Sequence, residues 1–205
     1  MATMTVSTNS ADVLQHSLDG LVENLKEYLG SKSGINSSET EVSKLKAFLT
    51  NYHSAGEADW SAYGRADPSR NYTRLLVDKI NGKCNLLFIV WNPSKRSPIH
   101  DHANAHCVMK IIKGSLQETV YHTPAPTGPI AQSYIKSNES SAEETPLELK
   151  KQTTYGEDEV AYISDQIGLH YISNPDPNDV AVSLHCMLPC CSTMCDLRCG
   201  MLRMV

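Results

Sequence analysis

Ile99-His100-Asp101-His102-Ala103-Asn104-Ala105-His106-Cys107-Val108-Met109-Lys110 is the stretch on which the reading of this 205-residue chain turns. His100 and His102 stand at i and i+2, and alternate side chains of an extended segment point the same way, so the two imidazoles share a face. Two rings side by side can each offer one nitrogen to a single metal ion, although His-x-His alone is equally at home in a packed strand. The β-rich run Cys107–Lys113 follows, with Gly114 at the turn beyond it, giving H-x-H-x4-C-x6-G. A third histidine opens a later run: Gly168-Leu169-His170, with Asn174 closing an H-x3-N pattern before a Pro/Asp turn.

The rest of the chain between residues 72 and 184 has the same texture. Short runs rich in branched and aromatic residues recur at Tyr72–Asp78, Cys84–Trp91, Leu116–Tyr121, Gln132–Lys136, Leu147–Thr154, Glu159–Ser164, His170–Ser173 and Val180–Leu184. Asn81-Gly82 separates the first two and is a strong hairpin signal. Lys113-Gly114-Ser115, the Pro124–Pro129 loop and the turn at 174–179 separate others. Many short strands with regular turns predict a β-sandwich or barrel. Ahead of them, Leu14, Leu18, Leu21, Val22, Leu25 and Leu29 recur at helical spacing and Gly30 follows as a stop. Ser38 to Glu41 has the form of a capping box, with Val42, Leu45, Leu49 and Tyr52 on one face behind it. The expectation is a mainly β protein preceded by a small α-helical cap, with helices at about 11–52 and a disordered N-terminus over 1–10.

Composition narrows the function. Apolar residues make up 40% and charged residues 20%, with a formal net charge of −5, and the 18 basic residues form no cluster. No nucleic acid is therefore expected as a partner. No run approaches the ~20 apolar residues that span a bilayer, and no leader is visible, so no membrane partner is expected and the location is read as cytoplasmic. Five of the seven cysteines fall in the last twenty residues rather than being spread as a disulfide framework would be, which favours reduced thiols.

The two histidine blocks resemble the two motifs of the cupin superfamily, with Cys107 where the usual Glu ligand stands. That substitution looks like the cysteine dioxygenases. Further ordered matches are Tyr72-Thr73-Arg74, Asn81-Gly82-Lys83, Trp91, Ser164-Asp165 and Ser183-Leu184-His185. The resemblance covers roughly residues 11–185, read as one domain, and is nearest in wording to fungal members.

The resemblance implies a cupin-type, jelly-roll-like β-barrel and an enzyme that adds both atoms of O2 to the thiol of L-cysteine, giving cysteine sulfinate. It implies Fe(2+) held by His100, His102 and His170, a three-histidine variant of the more usual two-His, one-carboxylate set. Arg74 would anchor the substrate carboxylate through its planar fork, with Tyr72 on the same strand face helping to orient the substrate. Ser183 and His185 would form a hydrogen-bonded relay that reaches the substrate, and Cys107 would carry a thioether to a tyrosine two residues after His185. A monomer is expected. Arg74 favours a thiol bearing a carboxylate, which leaves 3-mercaptopropionate as an alternative substrate.

One position breaks the pattern. The expected tyrosine is Met187, so no thioether to Cys107 can form there and the relay lacks its hydroxyl; a catalytically impaired metal-binding cupin is the other alternative. From Cys186 to Val205 the composition turns Cys- and Met-rich and resembles nothing in the family's ending. An alternative exon end, a retained intron or a frameshift is the expected origin of this tail.

Overall fold

In the computed structural model, which describes residues 16–30, 41–82, 84–102, 105–123 and 146–188, Asn81 and Gly82 carry φ of 50° and 68°. Two successive left-handed residues make the tight turn whose twist suits a hairpin, and the Gly82 N–H donates to the Lys79 carbonyl at 2.9 Å. The turn joins β1 (Tyr72–Ile80) to β2 (Cys84–Trp91). Six more strands follow: β3 (His106–Lys113), β4 (Leu116–Tyr121), β5 (Leu149–Tyr155), β6 (Val160–Ile163), β7 (Leu169–Ser173) and β8 (Ala181–Leu188). They form two antiparallel sheets, one ordered β1-β2-β8-β3-β6 and one ordered β5-β4-β7. This is the expected mainly β, cupin-type barrel. β8 runs on to Leu188, past the Leu184 expected, because β2 and β3 flank it on both sides and satisfy its backbone along that length. The strand expected at Gln132–Lys136 lies outside the described residues.

Alternation sorts the five-stranded sheet into two buried faces. Leu86, Phe88 and Val90 of β2, Val108 of β3, and Val182, Leu184, Cys186 and Leu188 of β8 pack into one core with the helices. Leu87, Ile89, Trp91, Met109, Ile111 and Ala181 point the other way and meet Leu116 and Ile172 of the three-stranded sheet. Strands buried on both faces read as nearly continuous apolar runs, as Cys84–Trp91 does.

The helical cap is built from α1 (Leu18–Leu29), α2 (Val42–Asn51) and α3 (Glu57–Ser61). Ser17 caps α1, its hydroxyl accepting from the Gly20 N–H at 3.2 Å, and the whole leucine stripe of α1 is buried. The capping box expected for α2 is not what begins it. Glu41 is itself the N-cap and makes no side-chain cap bond, and its backbone N–H, the donor a capping box would satisfy through a serine, goes instead to the Tyr28 hydroxyl on α1. The far end of α2 is fixed to the sheet by Lys110, whose ammonium donates to the carbonyls of Thr50 and Tyr52 and pairs with Asp158 at 2.9 Å. A cation suits the carbonyl-rich end of a helix. The five residues of α3 carry a single buried anchor, Trp60, too short a pattern to read as a helix beforehand.

Candidate metal centre

The two histidine blocks, about 70 residues apart in sequence, meet because the segment after β2 lies antiparallel along β7. Ser97 donates its N–H to the Ile172 carbonyl at 2.9 Å, and Arg96 bridges to Ser173. His100 and His170 then exchange both backbone hydrogen bonds, at 2.9 and 3.1 Å. Residues paired in that way stand directly opposite, with their side chains on one face. His102 follows two residues after His100, and its N–H donates to Asp165 Oδ1 at 2.6 Å, which fixes the end of the segment. The His170 ring centre lies 4.7 Å from each of the other two, which are 5.2 Å apart, and one nitrogen from each of the three rings lies within 4.8 Å of the others. Gly168 makes the close approach of β7 possible: a Cβ there would stand 2.2 Å from the Tyr121 carbonyl oxygen on β4.

The rings are set up to offer lone pairs. His100 Nδ1 lies 3.0 Å from the Pro98 carbonyl, to which it donates, leaving Nε2 as the acceptor. His170 Nδ1 lies 2.7 Å from Glu118 Oε1. Among the described residues, His102 Nδ1 and His170 Nε2 are buried without a hydrogen-bond partner. Orphaned buried nitrogens are costly unless something accepts their lone pairs, and a divalent cation among the three rings would do so. Burial, aided by repulsion from His170, lowers the His102 pKa to about 2 and the His100 pKa to about 4. Both are neutral at physiological pH, as metal ligation requires.

Around the rings opens a cavity of about 350 Å³, lined by residues of both sheets, among them Tyr72, Arg74, Trp91, Cys107, His185 and Met187. Arg74 lines this cavity from β1, an edge strand. It is exposed at the cavity wall, its guanidinium 5.4 Å from the centre of the Tyr72 ring. The physical reason is its edge strand: β1 pairs only with β2, which leaves a wet rim where the charge keeps its hydration. Among the described residues no carboxylate pairs with it. Its charge nonetheless reaches inward, adding to the burial that lowers the His185 pKa to about 3.

Ser183, His185 and Cys107 form one chain of contacts. Trp91 Nε1–H donates to Ser183 Oγ at 2.9 Å, and Ser183 Oγ lies 2.8 Å from His185 Nε2. Indole can only donate, so the arrangement that gives every proton an acceptor has Ser183 donating to Nε2 and the ring proton of His185 on Nδ1. That proton faces Cys107 Sγ at 3.7 Å. Burial pushes the Cys107 thiol well above its usual range. Met187 stands opposite Cys107 in the β3–β8 register and packs against it on the cavity wall.

One site residue escaped sequence reading. Glu118, buried on β4, holds His170; an acid alternating with Leu116 and Val120 on an inward face was its signal. Asn174, read as part of the H-x3-N pattern, is 1% exposed and donates to the carbonyls of Trp91, Asn92 and Asp179. It fastens the end of β7 to the end of β2, a structural duty.

The sequence profile of the family described as "Cysteine dioxygenase type I" matches residues 12–197. The chain belongs to the cysteine dioxygenase type I family. The match continues beyond His185, where the motif-by-motif resemblance stops. Similar curated proteins carry the name "Cysteine dioxygenase type 1": that of Rattus norvegicus is 38% identical over 151 residues, 74% of this chain and 66% of the relative. That of Danio rerio is 33% identical over 172 residues, 84% of this chain and 74% of the relative. The chain thus spans just under two thirds of the rat protein's length. Among solved structures it is similar to the Schizosaccharomyces pombe Cnp3 cupin domain (TM-score 0.40, 10% identity, 58% of this chain and 66% of that one). It is also similar to a recombinant oxalate oxidase in complex with glycolate (TM-score 0.43, 11% identity, 78% of this chain and 66% of that one). Likenesses so distant add nothing to the family assignment.

Proposed function

We propose that this chain is an iron-dependent thiol dioxygenase that converts L-cysteine to cysteine sulfinate. The observation that carries the reading is the convergence of three imidazoles, two with orphaned buried nitrogens, on a cavity walled at one side by Arg74. His100, His102 and His170 would hold Fe(2+), which when bound supplies a common centre for the thiolate and O2. One O2 is consumed per thiol and both its atoms end on sulfur, so no co-reductant is needed.

The chain's own residues do the remaining work. Arg74 binds the substrate carboxylate at the cavity rim, and the Tyr72 ring under the guanidinium restricts its swing. Ile89, Trp91, Met109 and Ile172 make the wall apolar and keep water from the reacting sulfur. His185, steered by Ser183, holds its Nδ1 proton at the inner end of the cavity. Family members with a tyrosine two residues after this histidine end the relay on a hydroxyl. Here the relay ends on the Cys107 thiol beside Met187, so slow turnover is expected rather than a different reaction. The protein is read as a cytoplasmic monomer, and the three described cysteines being free thiols fits that compartment.

The test is oxygen uptake by protein loaded anaerobically with Fe(II) and given L-cysteine. Sulfinate formed one-for-one with O2 is expected; iron retained without uptake contradicts the proposal. Arg74→Ala should then lower kcat/KM for L-cysteine by about 10- to 100-fold, the loss of one charge-assisted hydrogen-bonded anchor. An unchanged kcat/KM would remove Arg74 from the site.

A further inference from the structure

The third histidine is not held as the other two are. Its Nδ1 lies 2.7 Å from Oε1 of Glu118, and both side chains are about 5% exposed. The second carboxylate oxygen, Oε2, accepts from the Tyr155 hydroxyl at 3.3 Å. Among the described residues no lysine or arginine pairs with Glu118, so the acid is buried with only a ring N–H and a phenol as donors. Such burial is expensive for a carboxylate, and a leucine or valine would fit the inward alternation of β4 at no such cost. What would offset it is positive charge close by. The far side of the same ring is poised to receive a cation: among the described residues, nothing hydrogen-bonds the buried His170 Nε2.

We infer that Glu118 is the positioning residue of the metal centre: it fixes His170 in the Nδ1–H tautomer, aims Nε2 at the ion, and supplies from behind the ring the negative charge that three imidazole ligands lack. The inference rests on the proposed metal reading of the same three rings and adds to it a fourth, non-ligating member. In a two-His, one-carboxylate set the acid touches the ion; here the acid sits one imidazole further out. An acid so placed raises the basicity of the ring nitrogen facing the ion and tethers the ring against rotation. Tyr155 does the same for the acid, so the order runs Tyr155, Glu118, His170 and then the ion.

The experiment uses the full chain with Co(II) as the probe, read by binding isotherm and by the visible ligand-field spectrum, for the native protein, Glu118→Gln and Glu118→Ala. The native protein should bind one Co(II) per chain. Glu118→Ala should weaken binding about 10- to 100-fold and shift the spectrum. Glu118→Gln, whose carbonyl still accepts from Nδ1–H, should recover part of that affinity. Three isotherms within twofold and three identical spectra would overturn the inference while leaving the metal site standing. Failure of the native protein to bind Co(II) would overturn the metal reading beneath it. Should either variant not fold, nitrogen-15 histidine spectra of the native apoprotein decide: the proton of His170 on Nδ1 is required, and the proton on Nε2 refutes the arrangement.

Discussion

β8 carries two proteins' worth of chemistry on one strand. Val182, Leu184, Cys186 and Leu188 face the helices and are buried among leucines, with the Cys186 thiol 3.0 Å from that of Cys84. Ser183, His185 and Met187 face the barrel interior, where a hydroxyl and an imidazole are buried and a thioether is half-buried. One face consists of groups that gain by leaving water. On the other, Ser183 and His185 lose by it, and each needs a partner or a ligand to make its burial tolerable. The contrast separates what holds the fold from what does the chemistry, and it can be broken on either side.

The largest effect belongs to the inner face. His102→Ala should reduce metal retention from one ion per chain to less than about a tenth, measured by elemental analysis after dialysis, since two imidazoles rarely hold a labile divalent ion. The apoprotein should be no less stable, because the substitution removes a buried nitrogen that has no partner. A large loss of apoprotein stability would show that the ring packs as core. The mirror experiment is Leu184→Ala on the outer face, where the side chain is 0% exposed. Denaturant unfolding should register a loss of about 2–5 kcal/mol, with metal affinity of the folded protein unchanged. Equal loss of both would mean that the two faces are not separable.

A smaller effect follows from pH. His100, His102 and His185 have pKa values lowered to about 4, 2 and 3, from 6.5, chiefly by burial. Below 6.5 the unfolded chain takes up protons at these positions while the folded chain does not, so folding stability falls as pH drops. The apoprotein should hold full stability above about pH 7, lose it from pH 6.5 towards 4, and continue to lose it to about 2. Leu184→Ala should shift that curve without changing its slope, whereas His102→Ala should flatten it. A slope unaltered in the His102 variant would show that the ring is not buried neutral.

Sequence reading reached the architecture and most of the site for identifiable reasons. Asn81-Gly82 announced the β1–β2 hairpin because only a few residues tolerate two left-handed conformations in a row, and strand alternation placed His100 with His102 and Ser183 with His185. The contact of His100 with His170 was legible only through family resemblance, since it depends on a segment without regular structure pairing to β7 over a long sequence interval. The edge position of Arg74 was not legible, because an apolar neighbourhood in sequence does not reveal that β1 pairs on one side only. Glu118 was missed because a single acid in a mixed strand looks like a surface residue until its partner is known. The start of α2 was displaced because the donor it needed is satisfied by Tyr28, thirteen residues away.

The most direct measurement is X-ray absorption at the iron edge of the protein loaded with Fe(II) in the absence of oxygen and substrate. Three imidazole nitrogens on the metal are predicted, falling to two in His170→Ala if any iron remains. Two or fewer imidazoles in the native protein, or a carboxylate oxygen in the place of the third, would contradict the three-histidine centre.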